Sequence, residues 1–202
     1  MKRLLYALVC LLGMTLAAHT ARAQQCSECV PADAAITFLG IDYTFVNFGG
    51  TLDQPEDKVI HTYIPAWNEL FVTESSKYNI GKMYGLSRLS YDVDFFKGSN
   101  KKVSDINGVY KDLPRNTLIT HINKISFKGV TTPYAMFLIA GDYNKPALKA
   151  VHYLVIYNVS SGKIEVLEEF TTKPQGFGFR NYWAGSFYAV FKEKKRAAGW
   201  FK

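Results

Sequence analysis

Apolar positions in this chain fall into runs of two periods, and the order of those runs predicts the architecture. Ala35 to Thr44 is nearly all apolar before Asp42, as expected of a central strand covered on both faces. Asn47 to Lys58 is rich in Gly, Asp and Pro and reads as a loop. Ile64, Trp67, Leu70 and Phe71 then fall at helical spacing, which predicts a helix to about Ser75 with Pro65 in its first turn. Leu89, Tyr91, Val93 and Phe95 alternate with Arg88, Ser90, Asp92 and Asp94, the period of a half-buried strand that the loop Lys97 to Lys102 ends.

Asp112 is placed to cap a helix that carries Pro114 in its first turn and Leu118, Ile122 and Ile125 along one face, with Gly129 closing the element. Three strand-like runs follow with no room for helices between them: Tyr134 to Ala140, Ala150 to Asn158 and Ile164 to Thr171. Ser160-Ser161-Gly162 makes the last two an antiparallel hairpin. From Phe179 to about Ala197, Phe179, Tyr182, Trp183, Phe187, Val190 and Phe191 form the broad apolar face of a helix docked on a sheet. The order β-α-β-α-β-β-β-α predicts one mixed α/β domain, with helices packed on a mixed sheet of about five strands.

The N-terminus changes the picture by adding a compartment. Lys2 and Arg3 precede an apolar stretch from Leu4 to Ala18, and Ala21 and Ala23 stand in the A-x-A arrangement of a cleavage site. Residues 1–23 are therefore expected to be a signal peptide, 24–34 a flexible leader, and 35–202 the single domain. Loss of Lys2, Arg3 and Arg22 takes three from the net charge of +7 and leaves a mildly basic +4. The signal's apolar core is shorter than the roughly 20 residues of a spanning helix, and no second such run follows. Cys10 lies too early to end a lipoprotein signal, and Ala23-Gln24-Gln25 before Cys26 lacks the usual leucine-and-small-residue pattern. The expectation is a free periplasmic or secreted protein. Lys192, Lys194, Lys195 and Arg196 read as cations complementing a helix C-terminus, and no nucleic-acid partner is expected.

Two resemblances enter at this point. The run Gly176-Phe177-Gly178-Phe179-Arg180-Asn181-Tyr182-Trp183, together with Ile41-Asp42 and Trp67-Asn68-Glu69-Leu70, resembles a group of exported Bacteroidetes proteins of unknown function. That resemblance covers most of the mature chain and implies no activity. The element order resembles the α/β domain shared by the N-terminal part of TolB, the curli secretion protein CsgG and the activator lipoprotein LpoB, which implies binding to other envelope proteins. The lipid-attachment signal of that group is missing here, so no anchored, pore-forming or synthase-activating role is implied.

Candidate chemistry is sparse. Cys26-Ser27-Glu28-Cys29 follows only two mature residues and precedes Pro31, so it lacks the strand and helix that activate a thioredoxin-like dithiol. It reads as a local disulfide or part of a loose leader, and a thiol-disulfide role is the third functional alternative. The mature chain has no further cysteine, and His61, His121 and His152 stand singly, so neither a metal nor a cofactor is expected. Gly176, Gly178, Arg180, Asn181 and Trp183 are the candidate binding residues, because Arg180 and Asn181 stand beside a helix N-terminus and glycine frees the turn before it. Asp42, Asp92, Asp94 and Asp142 are candidate acid/base groups, since strand ends in open α/β sheets commonly hold ligands.

The leading expectation is an exported, non-catalytic protein that binds another envelope or secreted macromolecule, with its many Tyr, Phe and Trp residues available to an interface. The alternative is a small exported hydrolase built on the strand-end carboxylates. Oligomeric state is open.

Overall fold

The computed structural model describes residues 30–50, 52–108, 112–193 and 197–201. β1 (Ile36–Asp42) is buried at every position and lies between β3 (Leu89–Tyr91) and β4 (Tyr134–Asn144), both parallel to it. A strand covered on both faces has no solvent side, hence its continuous apolar run. β5 (Lys149–Asn158) and β6 (Lys163–Thr172) continue the sheet by antiparallel pairing, giving the order β3-β1-β4-β5-β6. A short β2 (Asn47–Gly49) pairs in parallel with the end of β4, within the stretch expected to be loop. Gly162, at φ 71°, closes the predicted β5–β6 hairpin.

Helices cover both faces of this mixed α/β domain. On one face lie α2 (Ile64–Thr73), α3 (Ile80–Tyr84) and α6 (Gly178–Lys192), around a core that includes Trp67, Phe71, Trp183 and Phe187. On the other lies α5 (Arg115–Ile122), whose Leu118 and Ile122 pack with Leu39, Phe96 and Phe137. β4 shows the division residue by residue: Met136, Leu138 and Ala140 enter the first core, Ala135, Phe137 and Ile139 the second.

Several boundaries differ from the periodicity: α6 ends at Lys192, short of Ala197, α5 ends at Ile122, short of Ile125, and three other differences have a local reason. Helical structure begins at α1 (Glu56–Lys58) and passes through a π-helical turn, Val59–Tyr63, before α2. Pro65 thus follows a widened turn in which the Ile64 N–H reaches the Val59 carbonyl, a break in the regular ladder where a missing donor is tolerated. The strand expected through Phe95 stops at Tyr91, although Asp92 still donates to the Phe38 carbonyl at 2.8 Å. Tyr91 and Val93 pack on the first core but Phe95 on the second, so the chain turns between them into α4 (Lys97–Asn100). α5 starts after Pro114 with no side-chain cap, Asp112 being exposed outside it.

One irregularity positions the functional residues. β1 carries an extra residue against β4 between Phe38 and Ile41, centred on Gly40 at φ 86°. Asn68 accepts from the Ile41 N–H at 2.7 Å and donates to its carbonyl at 3.2 Å. Asn100 of α4 donates to the same carbonyl at 2.9 Å and accepts from the Tyr43 N–H at 2.8 Å. These two buried amides replace the ladder that the bulge interrupts.

Candidate functional site

The bulge decides where Asp42 points. Ile36, Phe38 and, after the extra residue, Ile41 and Tyr43 all enter the first core, so Asp42 falls on the opposite face, toward α5. Its carboxylate is 1% exposed. Oδ1 accepts from the Thr44 N–H at 2.9 Å and the Thr44 hydroxyl at 2.6 Å, while Oδ2 stands 2.7 Å from His121 Nε2. An ionised carboxylate only accepts, so Nε2 carries the proton and, in the neutral ring, Nδ1 carries the lone pair.

His121 is held on its other sides as well. Leu118 and Ile122 fasten α5 to the second core, and the Phe45 ring meets the imidazole edge-on, with centroids 4.8 Å apart. The histidine side chain remains 22% exposed. It lines an open groove of about 390 Å³ with Phe45, Asn116, Thr117, Thr120 and Lys124. The position is chemically favoured: after β1 the chain passes to helices on the first face, and after β3 to α5 on the second. The carboxyl ends of such neighbouring strands open the crevice where α/β sheets commonly bind ligands.

The other carboxylates do not join this pair. Asp142 is equally buried, but its Oδ2 is 3.3 Å from Lys149 Nζ, and its Oδ1 has no hydrogen-bond partner among the described residues. Asp42 aligns with Ile139 and Asn47 with Asp142, so the two acids are offset by three positions, about 10 Å at ~3.3 Å per residue. Asp92 and Asp94 are exposed on the turn after β3, and Asp94 pairs with Lys97 at 3.1 Å.

Around α6, the sequence candidates Gly176, Arg180 and Trp183 are engaged in holding the helix. Gly176 has φ 148°, and a Cβ there would collide with the Asn181 carbonyl oxygen; Gly178 has φ 75°. Both Arg180 terminal nitrogens lie 3.2 Å from Glu74 Oε1, and the Arg180 carbonyl accepts from the Trp67 indole at 2.9 Å. Trp183 is buried and stacks on Tyr143, with centroids 5.0 Å apart. Asn181 and Phe177 are exposed. Cys26 and Cys29 lie outside the described residues, which begin at Val30, whose N–H donates to the Trp200 carbonyl at 2.9 Å.

A second histidine pair is sealed in the first core. His152 Nε2 stands 2.9 Å from Ser186 Oγ, which itself donates to the Trp183 carbonyl at 2.6 Å. Both residues are fully buried, and burial lowers the His152 pKa to about 3, so the ring is neutral. The pairing is of the serine-histidine type, but neither atom meets solvent. Among the described residues no group of three or more His, Cys, Asp or Glu side chains is arranged to hold a metal, and no helix is long and apolar enough to cross a membrane.

No family model matches this chain, and no curated protein matches it. A solved structure of a hypothetical protein from Chlamydia trachomatis is similar at a TM-score of 0.36 and 8% identity, over 83% of this chain and 96% of that one. So distant a likeness assigns no role.

Sequence reasoning missed His121. Seventy-nine residues separate it from Asp42, and an isolated histidine on an eight-residue helix carries no signal by itself. Gly40 inside a strand run was the available hint that the register changes before Asp42.

Proposed function

We propose that the chain is an exported protein that acts by recognising another envelope or secreted macromolecule, and that recognition takes place at the α5 groove. The observation that supports this place is the 2.7 Å contact from His121 to the buried Asp42 carboxylate. A ring fixed in this way presents one acceptor nitrogen without losing side-chain entropy on binding, beside the apolar Phe45 and the polar Asn116, Thr117 and Thr120. Export rests on the basic start, apolar stretch and A-x-A site of residues 1–23. The element order resembles that of envelope-binding α/β domains, which supports the same reading.

The test is a photoreactive phenylalanine analogue at the exposed Thr120, incorporated in the native host, against the same residue at Lys163. Lys163 follows the β5–β6 turn at the opposite end of the sheet. The expected result is one discrete crosslinked partner from position 120 and none from 163, with the crosslink lost on His121→Ala. Equal products from both positions would refute this placement. A second reading, hydrolysis, is favoured by the same contact, because Asp42 is oriented toward a histidine and not toward another acid.

A further inference from the structure

We propose that the α5 groove hydrolyses small carboxylic esters, with His121 Nδ1 as the general base toward water. The inference rests on the groove being the place where a ligand sits, and it adds a reaction to that reading. His121 is presented by Asp42 in one tautomer: Nε2–H is bound to Oδ2, and Oδ1 is already occupied by both Thr44 donors, so the carboxylate cannot swing away. The lone pair of Nδ1 belongs to a ring that lines the groove. A carboxylate 1% exposed is poorly solvated by water and is positioned to stabilise the imidazolium that forms when Nδ1 takes a proton. Phe45 offers an apolar wall for an acyl group, and the Lys124 ammonium is the cation lining the same groove for the developing oxyanion.

In the step proposed, Nδ1 takes a proton from a water molecule as its oxygen forms a bond to the ester carbonyl carbon. When the tetrahedral intermediate collapses, the bond from carbon to the alcohol oxygen breaks, and the proton on Nδ1 passes to that oxygen. One ester and one water give one carboxylic acid and one alcohol, with no redox change. Asp42 is a positioning residue; His121 is the catalytic one.

The experiment uses the full mature chain with p-nitrophenyl acetate and butyrate at neutral pH. The expected result is hydrolysis faster than by the same concentration of free imidazole, falling by about 100-fold or more in His121→Ala. Added imidazole should restore part of the loss, which a purely structural role for His121 would not allow. Asp42→Asn should lower kcat with little change in KM and should move the ring proton to Nδ1, read from the nitrogen chemical shifts of His121 by NMR. Thermal melts of each variant separate unfolding from loss of the base. Rates no faster than free imidazole, or unchanged by His121→Ala in a folded protein, overturn the proposal. An acyl adduct on Thr117 or Thr120 in the intact mass overturns water as the attacking group. A specific crosslink at Thr120 without hydrolysis removes the reaction and leaves recognition standing; hydrolysis without a crosslinked partner does the reverse.

Discussion

Burial makes His152 a source of acid sensitivity in this fold. Its folded pKa, lowered by burial to about 3, lies below the ordinary 6.5, so between these values the unfolded chain binds the proton and the native chain does not. Its contribution to stability is therefore complete above pH 6.5 and falls by about 1.4 kcal/mol per unit as the pH drops from there to about 3. Urea midpoints at pH 7 and pH 4.5 should show wild type losing about 2–3 kcal/mol more than His152→Gln over that interval. Equal losses would mean that another group carries the acid sensitivity. The burial that produces this sensitivity also shuts the Ser186 hydroxyl off from solvent.

At the scale of elements, the bulge in β1 links stability to the site. A Cβ on Gly40 would sit 2.5 Å from Asn68 Oδ1 in a backbone conformation, φ 86°, that other residues rarely adopt. Gly40→Ala is expected to cost about 2–3 kcal/mol, from αL strain plus the displaced amide, lowering Tm by about 5 °C or more in a domain of this size. It should also loosen the Asp42–His121 contact, because Asn68 is what braces Ile41 beside Asp42. A variant of unchanged Tm with an intact His121 tautomer would show that the bulge is dispensable. The half-exposed Arg180–Glu74 pair, which ties α6 to α2, is worth far less, about 0.2–1 kcal/mol.

Across the whole molecule, the aromatic residues serve packing before recognition. Trp67, Trp183 and Trp200 are 0%, 2% and 6% exposed, so aromatic abundance does not by itself mark an interface. The tail folds back as well: the Trp200 indole donates to Glu168 at 3.0 Å, and the Trp200 carbonyl receives the Val30 N–H. With two cores on one sheet holding the described residues, a short loop closed at Cys26 and Cys29 is expected to add little. Its closure would restrict the unfolded chain by only about 2 kcal/mol. Replacing both cysteines with serine should shift Tm by a few degrees at most; a fall of more than about 8 °C would assign the leader a larger role.

Much of this was legible in the chain itself. Continuous apolar runs place β1 and the β4–β5–β6 meander and the 3.6-residue period places α2 and α6, because burial constrains the residue type at each covered position. The same logic predicts helices on a mixed sheet. What period cannot express is where a register slips or two distant elements meet. Only the tertiary structure turned Asp42 away from the first core through the extra residue at Gly40, and only it brought α5 close enough for His121 to meet that acid. It likewise engaged Arg180 with Glu74 and enclosed Trp183. Each of these outcomes depends on contacts between residues far apart in sequence, whose energies no local pattern records.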